Sequence, residues 1–283
     1  MVGLKLRGPR QQEIMASPPY YKWTDESGEV IASFFRVSLD YLVRFPERAD
    51  FWIAYGTSDV SCAPVPGIAA GDISNLYHHQ ILPLIQSRSG RLIIHASAVL
   101  IDGKSAAFAG KSGRGKSTLA AAFAQAGFPF LTDDDLAFDK KSDVYFAQPS
   151  RAILRLLPDS RSALLSATRT EAEGDGEFKR EVATGPDLRH EPHSKKVGAI
   201  YLLGESRHAK FSIRRMAPAA ALIEIMKHSF FLDIDDRSRL HSHFDALGDF
   251  VESVSCFELD FPRDFGELDQ TIGGILNHFQ TGI

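Results

Sequence analysis

The sequence predicts an α/β chain of the α+β kind: a small N-terminal α+β domain, then a larger domain in which a mixed β-sheet with helices carries a P-loop. Three observations lead there. Ser105-Ala-Ala-Phe-Ala109, a short apolar run suited to a buried strand, passes through glycine-rich Gly110–Ser117 into Thr118–Ala126, which is rich in helix formers and stops at Gly127. Leu92–Ile101 is a second apolar run, joined to the first at Asp102-Gly103, a strong hairpin signal. Residues 30–54 hold short aromatic and β-branched stretches separated by polar residues, the composition of a small half-buried sheet.

In chain order, Val30–Val37, Tyr41–Phe45 and Ala49–Ala54 read as strands, with Trp23, Phe51 and Trp52 as core residues. Pro64-Val-Pro-Gly67 breaks the regularity, and Asp72–Ser87 reads as a helix in spite of Pro83. The boundary falls at Arg88-Ser-Gly90, which gives domains of 1–88 and 89–283. Beyond the loop helix, Phe128–Thr132 is an apolar strand ending on Asp133-Asp134-Asp135. Residues 166–196 are charge-rich with several Gly and Pro, and read as a surface loop or mobile lid. Ala199–Leu203, Phe211–Arg214 and Phe257–Phe261 read as strands; Ala217–Phe231, Asp236–Ser253 and Phe265–Phe279 read as helices.

Composition narrows the function classes. With 283 residues, 44% hydrophobic and 24% charged, the chain has enough apolar material for one large or two modest cores. A formal net charge of −4 and the lack of a basic face argue against a nucleic-acid partner. Cys62 and Cys256 are too few for a disulfide framework or a thiolate metal site, so a reduced, cytoplasmic compartment is the default. No apolar run approaches membrane-spanning length, and residues 1–12 lack an apolar h-region; the expectation is a soluble chain with no membrane partner. His78 and His79 point about 100° apart on a helix, without ligands at metal spacing, and His241 and His243 fail in the same way.

The chemistry centres on Gly110-Lys111-Ser112-Gly113-Arg114-Gly115-Lys116-Ser117, which fits G-x-x-x-x-G-K-[ST]. Glycines at 110, 113 and 115 allow dihedrals that a Cβ forbids, so backbone N–H groups can converge on one anion. Lys116 would reach the outer phosphates and Ser117 would place its hydroxyl on Mg²⁺, with Thr118 opening the helix. A glycine-rich turn with an exposed lysine is the plain alternative; strand, loop and helix in the required order favour phosphate. Asp133-Asp134-Asp135 offers hard oxygen ligands to Mg²⁺ or a base to an attacking hydroxyl, and otherwise a helix cap or acidic turn. His95, alone in an apolar strand, reads by itself as a core residue. Lys179-Arg180 reads either as a basic pair folded over a γ-phosphate or as solvated loop.

His95, Gly110–Ser117 and Asp133-Asp134, at these intervals, resemble the catalytic domain of HPr kinase/phosphorylase and its relatives, which share a nucleotide core with phosphoenolpyruvate carboxykinase. The resemblance is good from Arg91 to about Asp139. It continues more weakly through Arg151–Asp159, Phe178-Lys-Arg180, Lys227–Phe230 and Phe261–Asp264, pieces similar to stand-alone bacterial kinases, some of which belong with the modification of lasso peptides. It implies an HPr-kinase-like core that uses ATP and Mg²⁺ to phosphorylate a serine on a protein or peptide, such as a ribosomally made precursor. By the same resemblance, Lys116 and Ser117 bind phosphates and Mg²⁺, and Asp133 and Asp134 supply a metal ligand and the base, with their order open because Asp135 extends the run. His95 lies beside that pair, basic residues such as Lys179 and Arg180 come from the lid, and homo-oligomers are the expectation from the family's assemblies. The family's later glycine-rich signature is absent; Arg151 and Arg155 stand there instead, which speaks against the reverse reaction and against HPr as substrate. The competing readings are a nucleotide-binding regulator without phosphotransfer and a small-molecule kinase.

Overall fold

The computed structural model describes residues 3–25, 27–165, 180–183, 188–205 and 208–282. Internal contacts divide the chain into two units, Met1–Ser89 with Phe231–Arg237, and Gly90–Phe230 with Ser238–Ile283. The architecture is mixed α+β, with two mixed sheets and helices.

The first unit is a six-stranded sheet of β1 (Leu4–Leu6), β2 (Tyr21–Thr24), β3 (Val30–Val37), β4 (Asp40–Phe45), β5 (Ala49–Ile53) and β6 (Val60–Pro64), in the order β1-β6-β5-β4-β3-β2. Neighbours are antiparallel except β1 and β6. Phe34, Phe51 and Ile53 are fully buried, as their apolar stretches require. Trp23 and Trp52 are half-buried instead of core, and the guanidinium groups of Arg7 and Arg10 lie 4.5 and 4.6 Å from the Trp52 ring. The predicted helix is real but interrupted: α1 (Ala70–Leu76) runs through a π turn at Tyr77–Ile81 into α2 (Leu82–Ser87). Pro83 has no N–H to give to the fourth residue back, and a wider turn just before it absorbs the missing bond.

Asp233, 4% exposed, is the polar anchor of this unit. Arg36 Nη2 lies 2.5 Å from each of its oxygens, the Tyr41 hydroxyl donates at 2.7 Å, and the N–H groups of Asp235 and Asp236 donate at 3.1 and 3.3 Å. Burial, then the hydrogen bond to Asp233, pushes the Tyr41 hydroxyl up to about 12, so it stays a donor at every physiological pH.

The second unit contains β7 (Leu92–Ile94), β8 (Ala96–Ile101), β9 (Lys104–Ala109), α3 (Lys116–Gln125), β10 (Phe130–Thr132), β11 (Leu136–Lys141), β12 (Val144–Ala147), β13 (Ile153–Leu156), α4 (Pro158–Leu164), β14 (Arg180–Ala183), β15 (Lys195–Leu203), β16 (His208–Arg215), α5 (Pro218–Met226), α6 (Arg237–Ser253), β17 (Ser255–Pro262) and α7 (Leu268–Thr281). β9, β15 and β17 are parallel neighbours; β8 and β10 extend one side and β16 the other, all antiparallel. The first residues of β15 also pair with β12, from which β11 and β7 continue the sheet. Alternation along the strands makes two cores. Phe108, Tyr201 and Phe257 stack in a row and pack with α3 and α7, while Ala107, Ala109, Ile200 and Leu202 pack with α5 and α6. The hairpin turns at Asp102 (φ 48°) and Gly103 (φ 78°), the two left-handed residues of a type I′ turn.

Three sequence expectations change here. The run Leu92–Ile101 is two strands broken at His95. The helix expected to reach Phe231 stops at Met226, closed by i→i−3 bonds from Lys227, His228 and Ser229, and the chain then pairs back onto β7 through the Phe230 N–H to the Ile93 oxygen, 3.0 Å. Within 166–196, the described residues are a loop only in part: 180–183 is strand β14 against β13, Val182 and Leu188 fill the first core, 189–194 are irregular apart from an isolated bridge at His190, and Lys195 opens β15. Sparse apolar residues among many charges hid them. Among the described residues, no helix is long and apolar enough to cross a membrane.

Replacing Asp233 with Ala should lower the unfolding free energy by about 2–3 kcal/mol, because Arg36 and Tyr41 lose a buried acceptor. Urea denaturation of the full chain, followed by circular dichroism, measures the change.

Candidate active site

Chain geometry shapes the glycine loop between β9 and α3. Gly110 has φ 151°, and a Cβ there would come within 3.2 Å of Leu203 Cβ. Gly115, left-handed at φ 92°, caps α3 without a side-chain capping bond, so the first amides of the helix are directed into the loop. Lys116 is 3% exposed and folds back across the loop, its Nζ donating to the backbone oxygens of Gly110 (2.7 Å) and Lys111 (2.9 Å). Thr118 Oγ1 lies 2.9 Å from Ser160 Oγ on α4. On the solvent side, Lys111 Nζ is 2.5 Å from Glu205 Oε1, and the Arg114 guanidinium donates to the Glu205 backbone oxygen. The Lys111 hydrogen bond, then the charges of Lys111 and Arg114, lowers the Glu205 carboxyl below the usual range. Ser112 is exposed on the same loop.

The acid run sits where two chains break together. β8 pairs with β10 and β7 with β11, so His95 between β7 and β8 faces Asp133-Asp134-Asp135 between β10 and β11. Asp134 takes φ 74°, a conformation a non-glycine residue holds at a cost, and His95 Nδ1 lies 2.6 Å from its backbone oxygen. His95 therefore positions the acids through the main chain. Asp133, 3% exposed, accepts at Oδ1 from Ser97 Oγ (2.5 Å) and Ser117 Oγ (2.9 Å), and at Oδ2 from the Arg155 N–H (2.7 Å). Asp134 Oδ2 is ion-paired with Arg155 Nη1 at 2.5 Å. Burial, then the charges of Asp134 and Asp133, pushes the Asp135 carboxyl well above the usual carboxylate range.

Ser117 and Asp133 supply a hydroxyl and a carboxylate oxygen already 2.9 Å apart, the hard-oxygen donor set that suits Mg²⁺ when phosphate and water complete its shell. Among the described residues no three His, Cys, Asp or Glu side chains form a metal cluster.

A cleft of about 210 Å³ opens from the loop, lined on its polar side by Lys116, Ser117 and Arg155, and on its apolar side by Leu119, Phe261, Phe265 and Leu268. Phe261 lies 3.5 Å from where a Gly115 Cβ would stand. Arg263 lies over the Phe261 ring at 3.6 Å and donates to the oxygens of Phe261 (2.8 Å) and Gly204 (2.9 Å).

Thus Gly110–Ser117, Asp133, Asp134 and His95 meet at one place. Lys179 lies outside the described residues, and Arg180 is on β14, its backbone opposite Leu156. Sequence reasoning missed Ser97, which its spacing of two from His95 on one apolar run would have flagged, and it noted Arg155 without giving it a role. His228, within the Lys227–Phe230 segment of the resemblance, carries no assigned role there: its carbonyl accepts from the His95 N–H at 2.7 Å, and burial, then the charge of Lys116, lowers its imidazole to about 4.

No protein-family model matches this sequence, and no curated protein matches it. Among solved structures it is similar to the Hpr(Ser) kinase/phosphatase from Coxiella burnetii, at 11% identity over 66% of this chain and 98% of that one, with a TM-score of 0.37. The relationship is distant and structural, so the functional reading rests on the site's own geometry.

The depressed His228 predicts an acid sensitivity. A histidine whose folded value lies near 4, against 6.5 when unfolded, contributes stability that is present above pH 6.5 and lost as pH falls towards 4. Melting temperatures of His228→Gln should fall less steeply than those of the unsubstituted chain over that window.

Proposed function

We propose that this chain is an ATP-dependent kinase that transfers the γ-phosphoryl group to a serine hydroxyl of a protein or peptide, a ribosomally made precursor peptide among the acceptors that fit. The observation that carries the reading is the Asp133 carboxylate, hydrogen-bonded to the loop's own Ser117, with its neighbour Asp134 ion-paired to Arg155, a residue that lines the cleft together with Lys116 and Ser117. A triphosphate on the loop amides would lie with its outer phosphates at Lys116 and its base against Phe261, Phe265 and Leu268. Mg²⁺, held by Ser117 and Asp133, would neutralise charge on the transferring group.

In the reaction, the serine Oγ–Pγ bond forms as the bond from Pγ to the bridging oxygen breaks, and ADP leaves with that electron pair. Asp134 receives the serine proton, His95 fixing its main chain. Lys116 follows the charge that moves onto the phosphate oxygens. The chain needs to do little covalent chemistry; position and charge suffice.

One observation favours a second reading. Asp134 is paired with Arg155, and if that pair is permanent the site binds a nucleotide without using it, as in a regulator.

Lys116→Met should lower phosphoryl transfer by about 100-fold or more while the melting temperature stays close to that of the unsubstituted chain. Asp133→Asn should lower transfer by a similar factor and lower the melting temperature as well, because an amide cannot accept from Ser97, Ser117 and the Arg155 N–H at once. The assay is γ-labelled ATP with a lysate or candidate peptide, followed by acid-stable label on serine. Label appearing in a small metabolite, or ATP binding with no labelled product, would replace the serine-kinase reading.

A further inference from the structure

We propose that Arg155 is the recognition residue for the terminal phosphate: its guanidinium, paired with Asp134 in this structure, turns to the γ-phosphate oxygens when a nucleoside triphosphate binds, and Asp134 is released by the exchange. The inference rests on the nucleotide-binding reading above and adds a specificity-determining residue to it.

The placement of Arg155 carries the argument. Its backbone N–H is tied to Asp133 Oδ2 while Ser117 Oγ is tied to Oδ1, so the base of the arginine and the end of the phosphate loop are separated by the width of one carboxylate. Its side chain lines the cleft together with Lys116 and Ser117. The stem is therefore fixed at the place where the outer phosphates would lie, and rotation about the side-chain bonds alone carries the guanidinium from one anion to the other.

The pair with Asp134 leaves the arginine incompletely used. Nη1 meets Asp134 Oδ2 at 2.5 Å, but Nε is buried and has no hydrogen-bond partner among the described residues. A guanidinium presents five donors in a planar fork that suits two oxygens of one phosphate, so a tetrahedral anion in the cleft offers Arg155 more than a single carboxylate oxygen does. The sign of the charges agrees. A terminal phosphate arriving beside Asp133 and Asp134 brings like charge to like charge, and Arg155 is a half-buried residue whose guanidinium already meets Asp134 while its backbone N–H meets Asp133.

Calorimetric titration of the full chain with Mg²⁺ and either ADP or the β,γ-imido analogue of ATP tests the exchange. Arg155→Met should weaken the triphosphate analogue by about 10–100-fold, the size of one lost charge-assisted contact, and change ADP affinity by less than about 3-fold. Arg155→Lys should fall between. Asp134→Asn should strengthen binding of the triphosphate analogue more in the chain that keeps Arg155 than in the chain that also carries Arg155→Met, since only the former has an arginine to set free. An analogue-to-ADP ratio unchanged by Arg155→Met, or equal gains from Asp134→Asn in both backgrounds, would overturn the proposal and leave the kinase reading standing. Binding of neither nucleotide to the unsubstituted chain would overturn both.

Discussion

The second unit is organised around one buried carboxylate. Asp133 gathers Ser97 from β8, Ser117 from the start of α3 and the Arg155 backbone from β13, three elements that are far apart in sequence. A carboxylate at 3% exposure is tolerated only when its lone pairs are met by donors, and these three groups meet them. The same three bonds set the spacing between the phosphate loop and the acid run. Satisfying a buried charge and aligning a site for phosphate are thus one act, and neither Ser97 nor Ser117 can be exchanged for an apolar residue without exposing that charge to an incomplete shell.

The break at His95 explains why the acids stand where they do. Had residues 92–101 continued as one strand, the edge opposite Asp133-Asp134-Asp135 would have been a regular ladder, with no room for an irregular backbone. By breaking at His95 and at the aspartates together, the sheet turns a corner and leaves the left-handed Asp134 held by an imidazole from behind. His228 closes the arrangement through its carbonyl to the His95 N–H, which is why the turn that ends α5 belongs to the site.

Much of this was legible in the residues. Gly110–Ser117 declared strand, loop and helix, and Asp102-Gly103 declared the hairpin, because both depend on local dihedral preferences that survive without knowledge of the rest of the fold. The acids at 133 and 134 were legible from their interval to the loop. Arg155 was not, since an arginine on a short amphipathic strand looks like any solvated one until the ribbon it lies on is placed. The described strand in 180–183 was hidden for a related reason: four residues among many charges carry too little pattern to compete with composition. Trp52 misled in the opposite direction, its ring accepting two guanidinium groups at the surface where size alone suggested the core.

The first unit is discontinuous in the chain, and this has a consequence for how it is made. Phe231–Arg237 supplies the carboxylate that Arg36 and Tyr41 hold, yet these residues leave the ribosome after the phosphate loop, the acid run and β15 have already emerged. The six strands of the amino-terminal sheet all lie within residues 4–64, so Arg36 and Tyr41 are made nearly two hundred residues before the carboxylate that they hold. Until that segment emerges, the guanidinium and the hydroxyl have only water as acceptor, and the ion pair that closes the unit is among the last of its contacts to form during synthesis.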